Sequence, residues 1–515
     1  MSKHYDVVVL GAGIGALTAA ALLARRSWRV LVLGQGYRPA TYAYDGLPLA
    51  RRPFTLLANS SPAWGRILAE LAQSQTFRRR TTPLDPMLQV ATGQHRLDLP
   101  PDTAVFGKEV DREFPGVRRV VEELYAELAR TNAAADAAFE KDVVWPPGSF
   151  WERRETARVL STLPHVKDGA HDLLAEFPRD HAYRLIVEVP AQFASDLHGT
   201  LPPFAIARLQ GAWTRGVVRL ARGEEEITDF LVERVRAHGG EVALGDRASA
   251  ITHRGGKVTG VVLDGSDAST GVQFVVSDLP TRTVLDLASG FVPSRRQLLA
   301  LPMAAPRSRR FVVGIAVKDA GIPQALAAES FLIPDGGRPV VHLQRVKSAP
   351  FPPVANQVAS DVTLLIAETL LEGDAASRIA IARESVLACV QKFLPFIEQH
   401  YLVVDSPHDG RPLWDFRSGD RKDIDRSRVR ATGAGLDAEP MIPQYEIEPT
   451  QLHGLGGEPL RTPLAGAFVV GRTTMPALGQ EGELLAAWGA ARMITRTDRR
   501  KEKMRRDMWS KVELG

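Results

Sequence analysis

One cysteine, Cys389, is present in 515 residues. That scarcity excludes a disulfide framework and any zinc or iron–sulfur centre built on several thiolates. The thiol lies in the apolar run ValLeuAlaCysVal at 386–390, so it reads as an inert core side chain. No apolar stretch approaches the roughly 18 residues of a membrane-spanning helix. Polar MetSerLysHisTyrAsp opens the chain in place of a secretory leader. The expected location is the cytoplasm, with peripheral contact at the inner face of a membrane as the one membrane option.

An excess of charge of one sign is missing too. Lys and Arg number 64 against 60 Asp and Glu, a net +4. Residues 496–515 hold eight basic and four acidic side chains, so this segment alone carries the +4. The balanced remainder argues against a nucleic-acid-binding body. Twelve histidines show no HExxH or other tight ligand spacing, and His238, His253 and His342 read as structural or surface residues. No GxSxG elbow anchors a hydrolase triad. Gly255-Gly256-Lys257 is followed by Val258, not by the serine or threonine of a phosphate-binding kinase-type loop. Solenoid repeats and low-complexity tracts are absent. With 44% hydrophobic and 24% charged residues, the length suits two or three domains with full cores.

The opening forty residues carry the clearest positive signal. Residues 7–10 are a continuous apolar run, as in a parallel strand buried on both faces. Gly11-Ala12-Gly13-Ile14-Gly15-Ala16 follows, then an alanine- and leucine-rich helix former over 17–24 and a second apolar strand over 29–33. Strand, glycine turn, helix and strand in about thirty residues form the dinucleotide-binding βαβ unit. Gly11 permits the tight turn, Gly13 lets the backbone approach a pyrophosphate, and Ala16 is small enough for close helix–strand packing. The helix N-terminus then offers free N–H groups and partial positive charge. The acidic residue that grips the adenosine ribose falls by count on Gly34, with Gln35 beside it as a neutral substitute.

Two further blocks follow. Ile227, Phe230, Leu231 and Val235 repeat at helical spacing, and Gly239-Gly240 ends that helix. Short strands are predicted over 241–244, 248–253, 257–263 and 272–276, with Gly255-Gly256 as a two-residue hairpin turn. Near the end, residues 467–470 read as a buried strand, 471–482 as a glycine-containing loop, and 483–494 as a closing helix.

ValValValLeuGlyAlaGlyIleGlyAla (7–16), GlyLysValThrGlyValValLeuAspGly (256–265) with ValValSerAspLeuPro (275–280), and GlyArgThrThrMetPro…GlyGlnGluGly (471–482) together resemble the phytoene desaturase and retinol saturase-like branch of FAD-dependent oxidoreductases. The motifs cover about 130 residues. The resemblance implies an α/β chain. A three-layer Rossmann-type FAD/NAD(P)-binding domain would come from 1–60, 222–284 and 455–495. A mixed α+β substrate domain, a helical cap plus an antiparallel sheet, would come from 61–221 and 285–454. A helical face of Val117, Val120, Val121, Leu124 and Leu128 and a strand over 311–317 fit the latter.

The resemblance also implies FAD as cofactor. Gly11, Gly13 and Gly15, with Ala12, Ile14 and Ala16 completing the loop, would meet the pyrophosphate. The Ala248 backbone would meet the adenine, Gly34 and Gln35 the ribose, Gly471 and Arg472 the ribityl region, and Gly479, Gln480, Glu481 and Gly482 the flavin ring. It implies desaturation, saturation or isomerisation of carbon–carbon bonds in an apolar isoprenoid, polyene or lipid. No catalytic acid or base stands out.

The chain departs from the family at the cofactor. Gly34 replaces the ribose-binding glutamate, Ala40-Thr41 the glycine pair after the second strand, and Arg472 the aspartate of a Gly-Asp pair. Arg472 has two readings: a guanidinium that pairs with pyrophosphate in compensation, or a side chain that fills the ribityl space. Two functions follow: an FAD-dependent oxidoreductase, or a non-catalytic descendant that has lost FAD and serves as a binding or assembly subunit. Met504, Met508, Trp509 and Val512 would share one face of a basic tail helix, which either lies on anionic lipid or is simply solvated.

Overall fold

The computed structural model describes residues 4–141, 143–166, 172–266, 268–347, 361–373, 376–429 and 438–497. The opening strand, His4–Leu10, pairs in parallel with Val30–Leu33 on one side and Ser269–Ser277 on the other. Val7, Val8, Val9 and Leu10 are wholly buried, as a strand covered on both faces requires. Glu241–Ala243 extends the sheet beyond Val30–Leu33, while Lys257–Leu263 and Ala248–Arg254 extend it antiparallel at the other edge. The late strand Ala467–Val469 also pairs with Ser269–Ser277. Gly255 and Gly256 turn the hairpin with φ of 59° and 73°, the left-handed pair of a type I′ turn.

The helix Ile14–Arg25 owes its placement to small residues. Ala16, Ala19, Ala20 and Ala21 are wholly buried, so it lies close against the sheet and against the closing helix Gly479–Thr495. A Cβ on Gly15 would stand 2.3 Å from the Val470 carbonyl oxygen, so a glycine there permits the contact. The closing helix begins four residues before the expected 483, because the tight turn Pro476–Leu478 feeds directly into it. Gly479, Gln480, Glu481 and Gly482 therefore form its first turn instead of a free loop.

A ten-stranded sheet faces this unit. Its spine is Met303–Lys318, paired antiparallel with Val362–Glu372, Tyr401–Asp405 and Ile442–Glu448. One face carries Val313, Ile315 and Leu365 against the helix Ala376–Phe393, which buries Cys389. The other face turns toward the glycine loop, and the helices Arg118–Phe139, Ala182–Ala194 and Pro203–Thr214 cover its far end through Phe331 and Trp213. The expected tail helix over 504–512 lies outside the described residues.

Candidate dinucleotide cleft

Two connected spaces lie at the C-terminal ends of the parallel strands, where doubly wound sheets bind ligands. The outer, about 480 Å³, runs past Gly11, Gly13, Gly34 and Arg247 to Arg472. The inner, about 190 Å³, ends on Phe193, Trp213 and His342. Ala12, Gly13, Asp278 and Arg472 line both.

The central N–H of the glycine loop is already taken. Gly13 N–H donates to Asp278 Oδ2 at 2.7 Å. A Cβ on Gly11 would lie 1.8 Å from Asp278 Oδ1, and one on Gly471 2.0 Å from the Asp278 carbonyl oxygen. Those glycines therefore make room for Asp278. Glu483, just past the first turn of the closing helix, lies against Gly15: a Cβ there would stand 3.3 Å from the Glu483 Cβ. Burial raises the Asp278 pKa to about 6 against the pull of Gly13 N–H and Arg472. Burial also raises that of Glu483, to about 8, against Arg472 and with help from the charges of Asp196 and Asp278. Two carboxyl groups stand where a helix N-terminus would offer its field to phosphate.

The adenine and ribose positions are closed as well. Gln35 donates from Nε2 to the Ala248 carbonyl at 2.9 Å and accepts from Ala248 N–H at 2.9 Å. Its amide thus uses both backbone groups that an adenine edge would need. Gln35 does this from a left-handed backbone, φ 50°. A Cβ on Gly34 would lie 1.9 Å from the Leu244 carbonyl oxygen, so no side chain, acidic or other, fits there. Thr41 donates from its N–H and hydroxyl to Glu225, and the Ala40 carbonyl accepts from Arg51 N–H.

Arg472 pairs with Asp196 through Nη1 at 3.0 Å. Burial alone would lower its pKa, but Asp196, Glu483 and Glu224 outweigh it and raise it. Its side chain lies deep yet is 38% exposed, and both spaces of the cleft border it. Gln480 is tied to backbone, donating to the Thr55 carbonyl at 2.8 Å and accepting from Ala58 N–H. Glu481 is tied to Arg208 in a two-bond pair at 2.6 and 2.7 Å. A Cβ on Gly482 would meet the Met475 carbonyl at 2.4 Å. Ala12 and Ile14 line the inner space, and Ala16 is packed away from it. Of the expected flavin-ring residues only Gln480 reaches the cleft.

At the inner end His342 bonds Glu329 at 2.8 Å and lies 3.9 Å from Glu368, which Arg310 holds at 3.0 Å. Burial opposes the His342 charge, but the two carboxylates outweigh it and raise its pKa to about 9. Its ring stacks on Phe331 with centroids 4.7 Å apart. The histidine reads as structural from sequence, and the structure adds a buried charged cluster. Nothing local announces it, because its members come from separate strands.

FAD can be tested against these residues. Held as the resemblance implies, it needs Gly13 and Gly15 N–H for pyrophosphate, the Ala248 backbone for adenine and an acid at 34. Asp278 takes Gly13 N–H, Gln35 takes the Ala248 backbone, the Glu483 side chain stands against Gly15, and Leu244 excludes a side chain at 34. The residues present do not fit FAD in that arrangement.

Residues 9–71 match the family described as NAD(P)-binding Rossmann-like domain. No curated protein matches the sequence. Among solved structures, an oxidoreductase from Methanosarcina mazei aligns over 94% of this chain and 99% of its own, with 17% identity and a TM-score of 0.57. A cofactor-binding redesign of putrescine oxidase aligns over 97% and 100%, with 14% identity and a TM-score of 0.57. Similarity at that level carries the fold alone: this chain shares their architecture over nearly its whole length, with a Rossmann-like unit at its start.

Proposed function

We propose that this chain is a binding or assembly protein on an oxidoreductase fold, its dinucleotide cleft closed by its own side chains. The observation that supports this best is the pairing of Asp278 with Gly13 N–H. Glu483 at Gly15 and Gln35 on Ala248 complete the same substitution. A pyrophosphate would have to displace the half-buried Asp278 carboxylate from Gly13, and like charges at such distances cost several kcal/mol in a partly buried site. Incubation with excess FAD followed by desalting should leave the protein colourless. Retained absorbance near about 450 nm, where oxidised flavin absorbs, would overturn the reading.

One observation favours the second reading, an FAD-dependent enzyme acting on carbon–carbon bonds of an apolar isoprenoid or lipid. The Arg472 fork opens into the cleft, and a guanidinium there suits a bidentate phosphate contact. On that reading Arg472→Ala abolishes a flavin signal; on the first there is none to abolish. The basic composition of 496–515 supports peripheral contact with anionic lipid. Equal co-sedimentation of full-length and 1–495 chains with anionic liposomes would sink that contact.

A further inference from the structure

One cavity lies apart from the cleft. It holds about 660 Å³, inside the ~300–1,000 Å³ range of small-molecule sites. One wall is the helix Ala182–Ala194, which presents Leu185, Val189 and Phe193 at a spacing of four residues. The opposite wall is the helix Ala376–Phe393, through Ile381 and Val386. Leu185 is 38% and Ile381 63% exposed. Protein interiors close such spaces when apolar walls can meet, and here they stay apart around an open apolar mouth.

One end of the cavity is charged. Arg338 donates to Glu372 Oε1 at 2.7 Å, while Arg378 donates to the Glu372 backbone carbonyl. Glu372 is the one carboxylate among the described lining residues, beside the two guanidinium groups of Arg338 and Arg378. Phe193 borders both this cavity and the inner end of the cleft, and separates them.

We propose that this cavity binds a single-chain amphiphile with an anionic end, a fatty carboxylate or fatty phosphate. Its chain lies between Val189 and Val386 and its head beside Arg378. The inference deepens the binding reading above by naming a ligand class. It is independent of FAD: retained flavin would sink the closed cleft and leave this site standing.

The test titrates the full chain with palmitate, hexadecyl phosphate and hexadecanol by calorimetry. One palmitate or one hexadecyl phosphate per chain is expected, with the preferred head identifying carboxylate or phosphate. Arg378→Ala should weaken that binding about tenfold, the range for loss of a charge-assisted contact. Ile381→Glu, at an exposed position that folding tolerates, should weaken it at least as much by repelling the head and wetting the mouth. Absence of binding, hexadecanol binding as tightly as palmitate, or indifference to Ile381→Glu would each overturn the proposal.

Discussion

Asp278 is the residue that most changes what the glycine loop can hold. Its folded-state pKa, about 6, lies above its ordinary 3.8, so the folded chain keeps a proton that the unfolded chain has released. Stability therefore falls as pH rises from about 4 to 6, and the deficit persists above that. Asn mimics the protonated acid and still accepts from Gly13 N–H. Asp278→Asn should thus gain up to about 3 kcal/mol near pH 8 and almost nothing near pH 4, read from urea midpoints. Glu483, raised from 4.5 to about 8, has the same sign over a wider window, and Glu483→Gln should behave alike. Gly34→Ala tests the opposite kind of site. Its Cβ would lie 1.9 Å from the Leu244 carbonyl, so a loss of about 3 kcal/mol or more is expected in the same assay. The missing acid at 34 is legible in the sequence, but the reason is not, because Leu244 lies in the turn after a distant strand, Glu241–Ala243.

At the scale of elements, local patterns read correctly and long-range ones do not. The first strand, the alanine-rich helix, the Gly255-Gly256 hairpin and the late strand are all spelled by neighbours in sequence. The start of the closing helix is misread, because glycines at 479 and 482 look like a loop. In the fold they are needed where the helix meets the Ala194 and Met475 carbonyls. Glu481 reads as a flavin neighbour and instead bonds the helix Pro203–Thr214 to the closing helix. Arg208 and Glu481 are 2% and 8% exposed at the side chain, and Arg208 also reaches Asp136 at 2.7 Å. Removing one member of a buried pair strands the other's charge, so Glu481→Ala should cost about 3–5 kcal/mol. Arg208→Met with Glu481→Leu should cost clearly less than the two single losses combined, a non-additivity that a double-mutant cycle in urea would measure.

At the scale of the molecule, two sheets face each other across a cleft filled with opposed charges, and an apolar cavity lies beyond Phe193. The partners that close the cleft are far apart in sequence; Gly13 and Asp278 are 265 residues apart. Asp278 stands in a recognisable ValValSerAspLeuPro segment, yet its target is visible only in three dimensions. A ligand that binds only the folded chain raises the melting temperature. On this account excess palmitate does so and excess FAD does not.

The most direct measurement is FAD affinity by calorimetry, comparing the wild-type chain with a variant carrying Asp278→Ala, Glu483→Ala and Gln35→Ala. The account predicts no measurable binding to the wild type. It predicts detectable binding to the variant, whose Gly13 and Ala248 N–H groups are free to donate to the dinucleotide and whose Gly15 no longer faces the Glu483 carboxyl. Tight binding to the wild type, weakened by the same three substitutions, would contradict it.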